Sequence, residues 1–186
     1  MPDAIDQTRE PMQRIRRLSL VMQIAVVVGA VLAELGMAWV WISPTIIESV
    51  VVSRLQIPMA DVTLDGQTRL IGFLISSLPL MVIFYALYQA FCLFAGYRKG
   101  EIFTVEASSR LRRIAVAILG AVAIGPLVQA ALSVALTAGA LPGRRHLVLQ
   151  FSLNDYLAAT LGGLLLAIAL VMAEAVRIAE ENRRIV

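Results

Sequence analysis

The chain has 186 residues, of which 59% are hydrophobic and 16% are charged, and its formal net charge at pH 7 is +3. Soluble domains average roughly 45–50% apolar and about 25% charged residues, so this composition indicates a protein embedded in lipid. The single cysteine, Cys92, excludes a disulfide framework and a Cys-based zinc site, and the single histidine, His146, excludes multi-histidine metal and haem sites.

Long apolar blocks occur at four places in the chain. Crossing the ~30 Å hydrocarbon core takes ~20 residues, and this length predicts spans at about 18–42, 70–95, 114–138 and 156–173. Trp39 and Trp41 end the first block where a cleavage site would be expected, so we interpret it as a span and not as a signal peptide. The sequence therefore predicts an all-α integral membrane protein, a single domain over 1–186 with four transmembrane helices in an antiparallel bundle. The connections are outer loops 43–69 and 139–155, a cytoplasmic loop 96–113 and a tail 174–186.

The basic residues are distributed unevenly between the two sides of these spans. Twelve of the sixteen Lys and Arg residues lie before span one, in loop 96–113 or in the tail. The outer loops hold only Arg54, Arg69, Arg144 and Arg145. Because Lys and Arg collect on the cytoplasmic side, both termini and the middle loop are predicted to be cytoplasmic. The same rule accounts for the positive net charge, so we do not expect direct nucleic-acid binding.

The outer loops contain three short patterns. Ser43 followed by Pro44 is typical of a helix start, with the serine as cap. The segments DVTLDG (61–66) and HLVLQFS (146–152) are rich in strand formers. We expect these two segments to pair as a small two-stranded cap on the outer ends of the spans.

Glu34 is the acidic residue that lies well inside a span, with Ser76, Ser77 and Gln129 at similar predicted depth. An intramembrane carboxylate costs several kcal/mol unless it is paired or neutral. These four residues are a candidate polar cluster, which either joins the helices through hydrogen bonds or binds an ion or a small ligand. We favour the role in joining helices, because buried polar groups often hold membrane helices together.

Small residues in AVLAELG and ATLGG predict close helix packing, with a homo-oligomer seam as the minority interpretation.

The middle of the chain, YRKGEIFTVEASSRLRRI, contains residues that the orientation of the chain in the membrane does not require. Gly100 predicts a break after span two, and Thr104 is a good N-cap for a helix that begins near Val105. Glu106 and Arg110 have the i,i+4 spacing of an ion pair. The tail offers similar pairs through Glu174, Arg177 and Glu181. With Arg112 and Arg113 at a similar predicted level, we expect a polar collar that links the loop to the tail.

These segments resemble an uncharacterised family of bacterial four-span membrane proteins, a domain of unknown function. Its loop reads Y-x-x-G-E-I-F-T-x-E-N before a basic segment, and its tail has a Glu-Asn pair and an apolar end. The matching positions are Tyr97, Gly100, Glu101, Ile102, Phe103, Thr104, Glu106, Leu111, Arg112, Arg113, Glu181, Asn182, Ile185 and Val186. Ala107 and Arg183 depart from it, where the family commonly has Asn and Asp. Members are often encoded beside a small helix-turn-helix regulator, so the resemblance implies a regulator as partner and no known activity.

The residues and the resemblance together favour a non-enzymatic multi-pass protein of the bacterial inner membrane, a regulatory or accessory subunit that docks a partner through its cytoplasmic face. The partner would be a soluble regulator or a larger membrane complex. An ion- or ligand-handling protein centred on Glu34 is the alternative, and an enzyme is third, because one His and one Cys give no nucleophile–base pair. We expect no catalytic residue, metal or cofactor. The candidate docking residues are Gly100, Glu101, Ile102, Phe103, Thr104, Glu106, Arg110, Arg112, Arg113, Glu174, Glu181 and Asn182.

Overall fold

The computed structural model describes residues 3–50, 55–140 and 146–185, which form helices and loops with no strand among them. The helices are α1 (Asp3–Ile42), α2 (Pro44–Val50), α3 (Gly66–Lys99), α4 (Val105–Leu136) and α5 (Leu153–Ile185), and a 3-10 turn covers Met59–Asp61. Four of them, α1, α3, α4 and α5, are long and apolar enough to cross a membrane. The predicted all-α, four-span architecture is therefore confirmed, and the chain is a multi-pass membrane protein.

The starts of the helices follow from local residues. Asp65 caps α3, since its Oδ1 accepts a hydrogen bond from the backbone N–H of Thr68 at 3.1 Å. Helix α2 begins at Pro44, as the Ser-Pro pair predicts, and the carbonyl of Ser43 accepts from the N–H of Ile47 at 3.1 Å. At 1.5 Å per residue each long helix spans roughly 50–60 Å, so it extends beyond the hydrocarbon of the bilayer.

The four long helices pack side by side in chain order, α1 on α3, α3 on α4 and α4 on α5. Antiparallel packing of α1 and α3 is visible at two levels, where Gln23 meets Phe91 and Trp41 meets Gly72. In α5, Gly162 lies against Leu119 of α4, as close packing through ATLGG predicts. Among the described residues no extended interface joins α1 to α5, so the bundle is open between its outer helices.

We name the two ends of the bundle by what they contain. The basic end holds the α3–α4 loop, residues 100–104, together with the arginine-rich parts of α1 and α5. The loop end is the opposite one, where the α1–α3 and α4–α5 connections meet. The loop end contains a small apolar core in which α2 and residues 55–57 pack against the helix ends. Its buried members are Trp41, Ile47, Leu55, Ile57 and Leu136.

The connections at the loop end do meet, but the expected two-stranded cap is wrong. The N–H of Thr63 donates to the carbonyl of Leu136 at 3.0 Å, and the N–H of Val148 donates to Oγ of Ser133 at 3.0 Å. The first bond satisfies a carbonyl in the last turn of α4 that lacks a partner within the helix, and the second uses a side-chain hydroxyl one turn earlier. Each segment is thus bonded to α4 at these positions, and no strand forms in the described residues of either segment.

Candidate functional site

The α3–α4 loop begins with a left-handed glycine. Gly100 has φ 89°, and its N–H donates to the carbonyl of Tyr97 at 3.1 Å. The next N–H, of Glu101, reaches back to the carbonyl of Gly96 at 3.1 Å. These two bonds form a Schellman motif, which satisfies the free carbonyls at the end of α3 and favours glycine at the left-handed position. The role of Gly100 is therefore to reverse the chain at a fixed place.

The loop ends with the N-cap that the sequence predicts. Oγ1 of Thr104 accepts a hydrogen bond from the N–H of Ala107 at 3.1 Å, and α4 begins at Val105. Glu106 lies in the first turn, where the helix dipole favours an acidic side chain. With a C-cap on one side and an N-cap on the other, the segment between them is held at both ends.

This loop closes a cleft of about 180 Å³ between the end of α3 and the start of α4. The lining includes two cationic and two acidic side chains, with the single cysteine beside them: Lys99, Arg110, Glu101, Glu106 and Cys92. Nε of Arg110 lies 2.9 Å from Oε1 of Glu106, as the i,i+4 spacing predicts. Exposed pairs of this kind contribute about 0–1 kcal/mol, so its effect is to orient Arg110.

Two apolar residues of the loop differ in their surroundings. Ile102 is half-buried, whereas the side chain of Phe103 is 79% exposed. Phe103 therefore does not pack into the bundle. The loop presents an aromatic ring outward from the basic end, next to the charged cleft.

The structure does not bring the loop and the tail together through ion pairs. Arg177 pairs with Glu174 and Glu181 on its own helix, with Nη1 of Arg177 3.7 Å from Oε1 of Glu181. Arg112, Arg113 and Asn182 are exposed. Within the described part of the chain, the ion pairs at the basic end stay inside single helices, so the collar consists of separate pairs on α4 and α5.

Glu34 lies elsewhere, in a groove between α1 and α3. This groove has a volume of about 500 Å³ and is otherwise lined by apolar and aromatic side chains, including Val27, Val31 and Phe91. None of the other three residues of the candidate polar cluster lines it. Ser77 donates to the carbonyl of Phe73 in its own helix at 2.8 Å, Ser76 is half-buried, and Oε1 of Gln129 is buried without a hydrogen-bond partner.

No group of three His, Cys, Asp or Glu side chains suited to a metal ion occurs in the described ranges.

Neither a curated protein nor a solved structure matches the chain. A family described as proteins of unknown function, DUF2975, matches residues 37–186. The chain belongs to the DUF2975 family.

The extent of the DUF2975 match separates the two candidate sites. The α3–α4 loop and its cleft lie inside the matched range, and so does all of α5. The match begins at Met37, so most of α1 precedes it, including Glu34. Any role of the loop can therefore be a family property, whereas a role of Glu34 is argued from this chain alone.

Sequence reasoning missed a polar contact between α1 and α3 of this DUF2975 protein. Gln23 is only 6% exposed, its Nε2 donates to the carbonyl of Phe91 at 3.2 Å, and Nη1 of Arg98 donates to its Oε1 at 2.9 Å. The sequence feature that could have indicated this contact is Gln23 itself, a polar side chain within the apolar run of span one. Its partner depends on the register between two helices, which the sequence does not specify.

Proposed function

We propose that this DUF2975 protein is a non-enzymatic membrane subunit that docks a protein partner through its basic end, on the cytoplasmic side. The observation that carries the proposal is the 79% exposure of Phe103 on a loop fixed at both ends. Chain reversal by itself does not require an outward aromatic ring. The partner is a soluble regulator or the cytoplasmic face of a larger membrane complex.

The fixed geometry of the loop supports this role. The Schellman motif at Gly100 and the cap at Thr104 define the backbone on either side of Phe103. A surface that is ordered before binding loses less conformational entropy when the partner arrives. The loop is therefore suited to specific recognition as well as to connecting two helices.

The residue types around Phe103 also suit an interface. Aromatic residues and arginine are enriched at the positions that dominate binding energy in protein complexes. Arg112 and Arg113 are exposed on the first turns of α4, and Glu101 is exposed in the loop. A partner with an apolar pocket and acidic side chains around it fits this combination.

The test begins with the full chain in lipid nanodiscs and a partner that co-purifies with it in stoichiometric amount. After purification of that partner, its binding is titrated against the wild type and against Phe103→Ala. We expect the affinity to fall by about 30-fold, the loss of a hot-spot side chain. Phe151→Ala is the matched control, because Phe151 is also 79% exposed but lies at the loop end.

Two outcomes would contradict the proposal. Equal binding of the partner by wild type and Phe103→Ala would show that the loop is not the docking surface. The second outcome is that no protein co-purifies and that spin-label depth measurements place Phe103 among the lipid headgroups. The ring would then be a membrane anchor and not a docking residue.

Ion or small-ligand handling at Glu34 is the second candidate. The observation that favours it is that Glu34, an acidic residue within a span, lines the groove of about 500 Å³ between α1 and α3. Glu34→Gln in proteoliposomes tests it by ion flux and ligand binding. If Glu34→Gln loses the flux of the wild type while its helix content is unchanged, the carboxylate is functional. Identical fluxes from the two proteins would exclude a role for Glu34 in ion transport.

A further inference from the structure

The groove between α1 and α3 continues from Glu34 to the basic end. Next to the cavity of about 500 Å³ that Glu34 lines is a second one, of about 340 Å³, that Gln23 and Arg98 line. Val27 and Phe91 belong to both cavities, so the two are segments of one groove. Val27 is half-exposed, which leaves the groove open along its side.

The chemistry of the groove changes along its length. Between its ends the lining consists of aliphatic side chains and aromatic rings, whereas Arg98 and Gln23 supply polar groups at the basic end. A long apolar channel with a cation at one mouth is complementary to an amphiphile with an acyl chain and an anionic head.

The length of the groove matches one leaflet. At 1.5 Å per residue, the distance from Gln23 to Glu34 along α1 is roughly 16 Å. Half of the hydrocarbon core is about 15 Å thick. A chain that enters at Arg98 therefore ends near the middle of the membrane, at the level of Glu34.

We propose that this groove binds one acyl chain of an anionic glycerophospholipid from the leaflet at the basic end, with the lipid phosphate at Arg98. Gln23 positions the guanidinium, because its Oε1 accepts from Nη1 of Arg98 at 2.9 Å while its Nε2 is anchored to the carbonyl of Phe91. A guanidinium has five N–H donors, so this contact leaves others for phosphate oxygens, and its planar shape suits bidentate phosphate binding. The proposal does not depend on the docking of a protein partner.

Lys99 provides a matched control for the charge of Arg98. The two residues are adjacent and both exposed, but Lys99 lines the α3–α4 cleft and does not line the groove. Neutralising either residue removes one positive charge from the same end of the protein. A difference in lipid affinity between the two variants therefore indicates binding in the groove and not the general attraction of a basic surface for anionic lipid.

The experiment is native mass spectrometry of the full chain in detergent, titrated with phosphatidylglycerol or phosphatidylcholine of identical chains. We expect wild type to bind phosphatidylglycerol more tightly than phosphatidylcholine, Arg98→Gln to lose about tenfold in affinity for phosphatidylglycerol, and Lys99→Gln to bind like wild type. Val27→Trp fills the groove and should weaken both lipids. Arg98→Lys keeps the charge and should retain part of the preference, which separates lost recognition from misfolding.

Equal affinity of wild type for the two lipids would overturn the proposal, and so would equal losses in Arg98→Gln and Lys99→Gln. Full lipid binding by a helical Val27→Trp protein would show that the headgroup binds at Arg98 without a chain in the groove. Glycerophosphoglycerol, which has the headgroup but no chains, should not compete with the lipid.

Discussion

The indole ring of Trp41 in α1 packs directly against Gly72 in α3, and this contact joins the two helices at the loop end. A side chain as small as a methyl group at residue 72 would overlap the ring. Trp41 is itself part of the buried apolar core of that end. The contact thus couples helix packing in the membrane to the core beneath the connecting loops.

Gly72→Ala should destabilise the protein because the added methyl group displaces the Trp41 ring from this core. Overpacking of this kind costs about 1–3 kcal/mol. The measurement is equilibrium unfolding in mixed detergent, followed by far-ultraviolet circular dichroism and tryptophan fluorescence. Gly36→Ala in α1 is the control, since no neighbouring atom lies within 4 Å of the added Cβ, and it should leave stability unchanged or slightly higher. Equal stability of the two variants would contradict the packing described for Trp41.

Asp65 should titrate below the ordinary carboxyl range. Hydrogen bonds from Thr68, first its side chain and then its backbone N–H, lower the pKa of Asp65 from the ordinary value of an aspartate. A folded pKa below the unfolded value means that the ionised cap stabilises the fold at higher pH, and that this contribution disappears as pH falls through the lowered pKa. Thr68→Val should raise the pKa of Asp65 only part of the way, because the backbone N–H remains.

Carbon-13 NMR titration of the Asp65 carboxyl group in micelles checks this expectation. Asp155 is a reference carboxylate at the same end of the bundle, bound by Ser152 and not by Thr68. A Thr68→Val titration curve that shifts both carboxylates equally, or neither, would argue against the direct bond between Thr68 and Asp65.

Thr104→Ala should weaken the start of α4 because the N–H of Ala107 loses its acceptor. Loss of an N-cap costs about 1 kcal/mol. Thr104→Ser keeps the hydroxyl and should retain most of the stability. Hydrogen exchange of the first turn of α4 measures the change locally, and faster exchange in Thr104→Ser than in Thr104→Ala would contradict the capping role.

The features that could be predicted from the sequence are those set by nearby residues. Apolar length predicts the spans, and the side chain of Thr104 predicts the start of α4 because the cap acts within one turn. The contacts of Trp41 with Gly72 and of Arg98 with Gln23 depend on how two helices are placed along each other, which local sequence does not determine. The outer segments were predicted as strands from their residue types, but the N–H groups of Thr63 and Val148 bond to α4, whose position beside them local sequence does not determine.

The distribution of Lys and Arg predicts that the basic end faces the cytoplasm, and two exposed phenylalanines allow a direct test. Phe103 and Phe151 are equally exposed, at the basic end and the loop end respectively, and Cys92 is the only cysteine to remove. In a Cys92→Ser background, a membrane-impermeant maleimide should label Phe151→Cys in intact spheroplasts. Phe103→Cys should react only after permeabilisation, because the positive-inside rule predicts a cytoplasmic position for its loop. The opposite labelling pattern would invert the orientation and would place the proposed docking surface outside the cell.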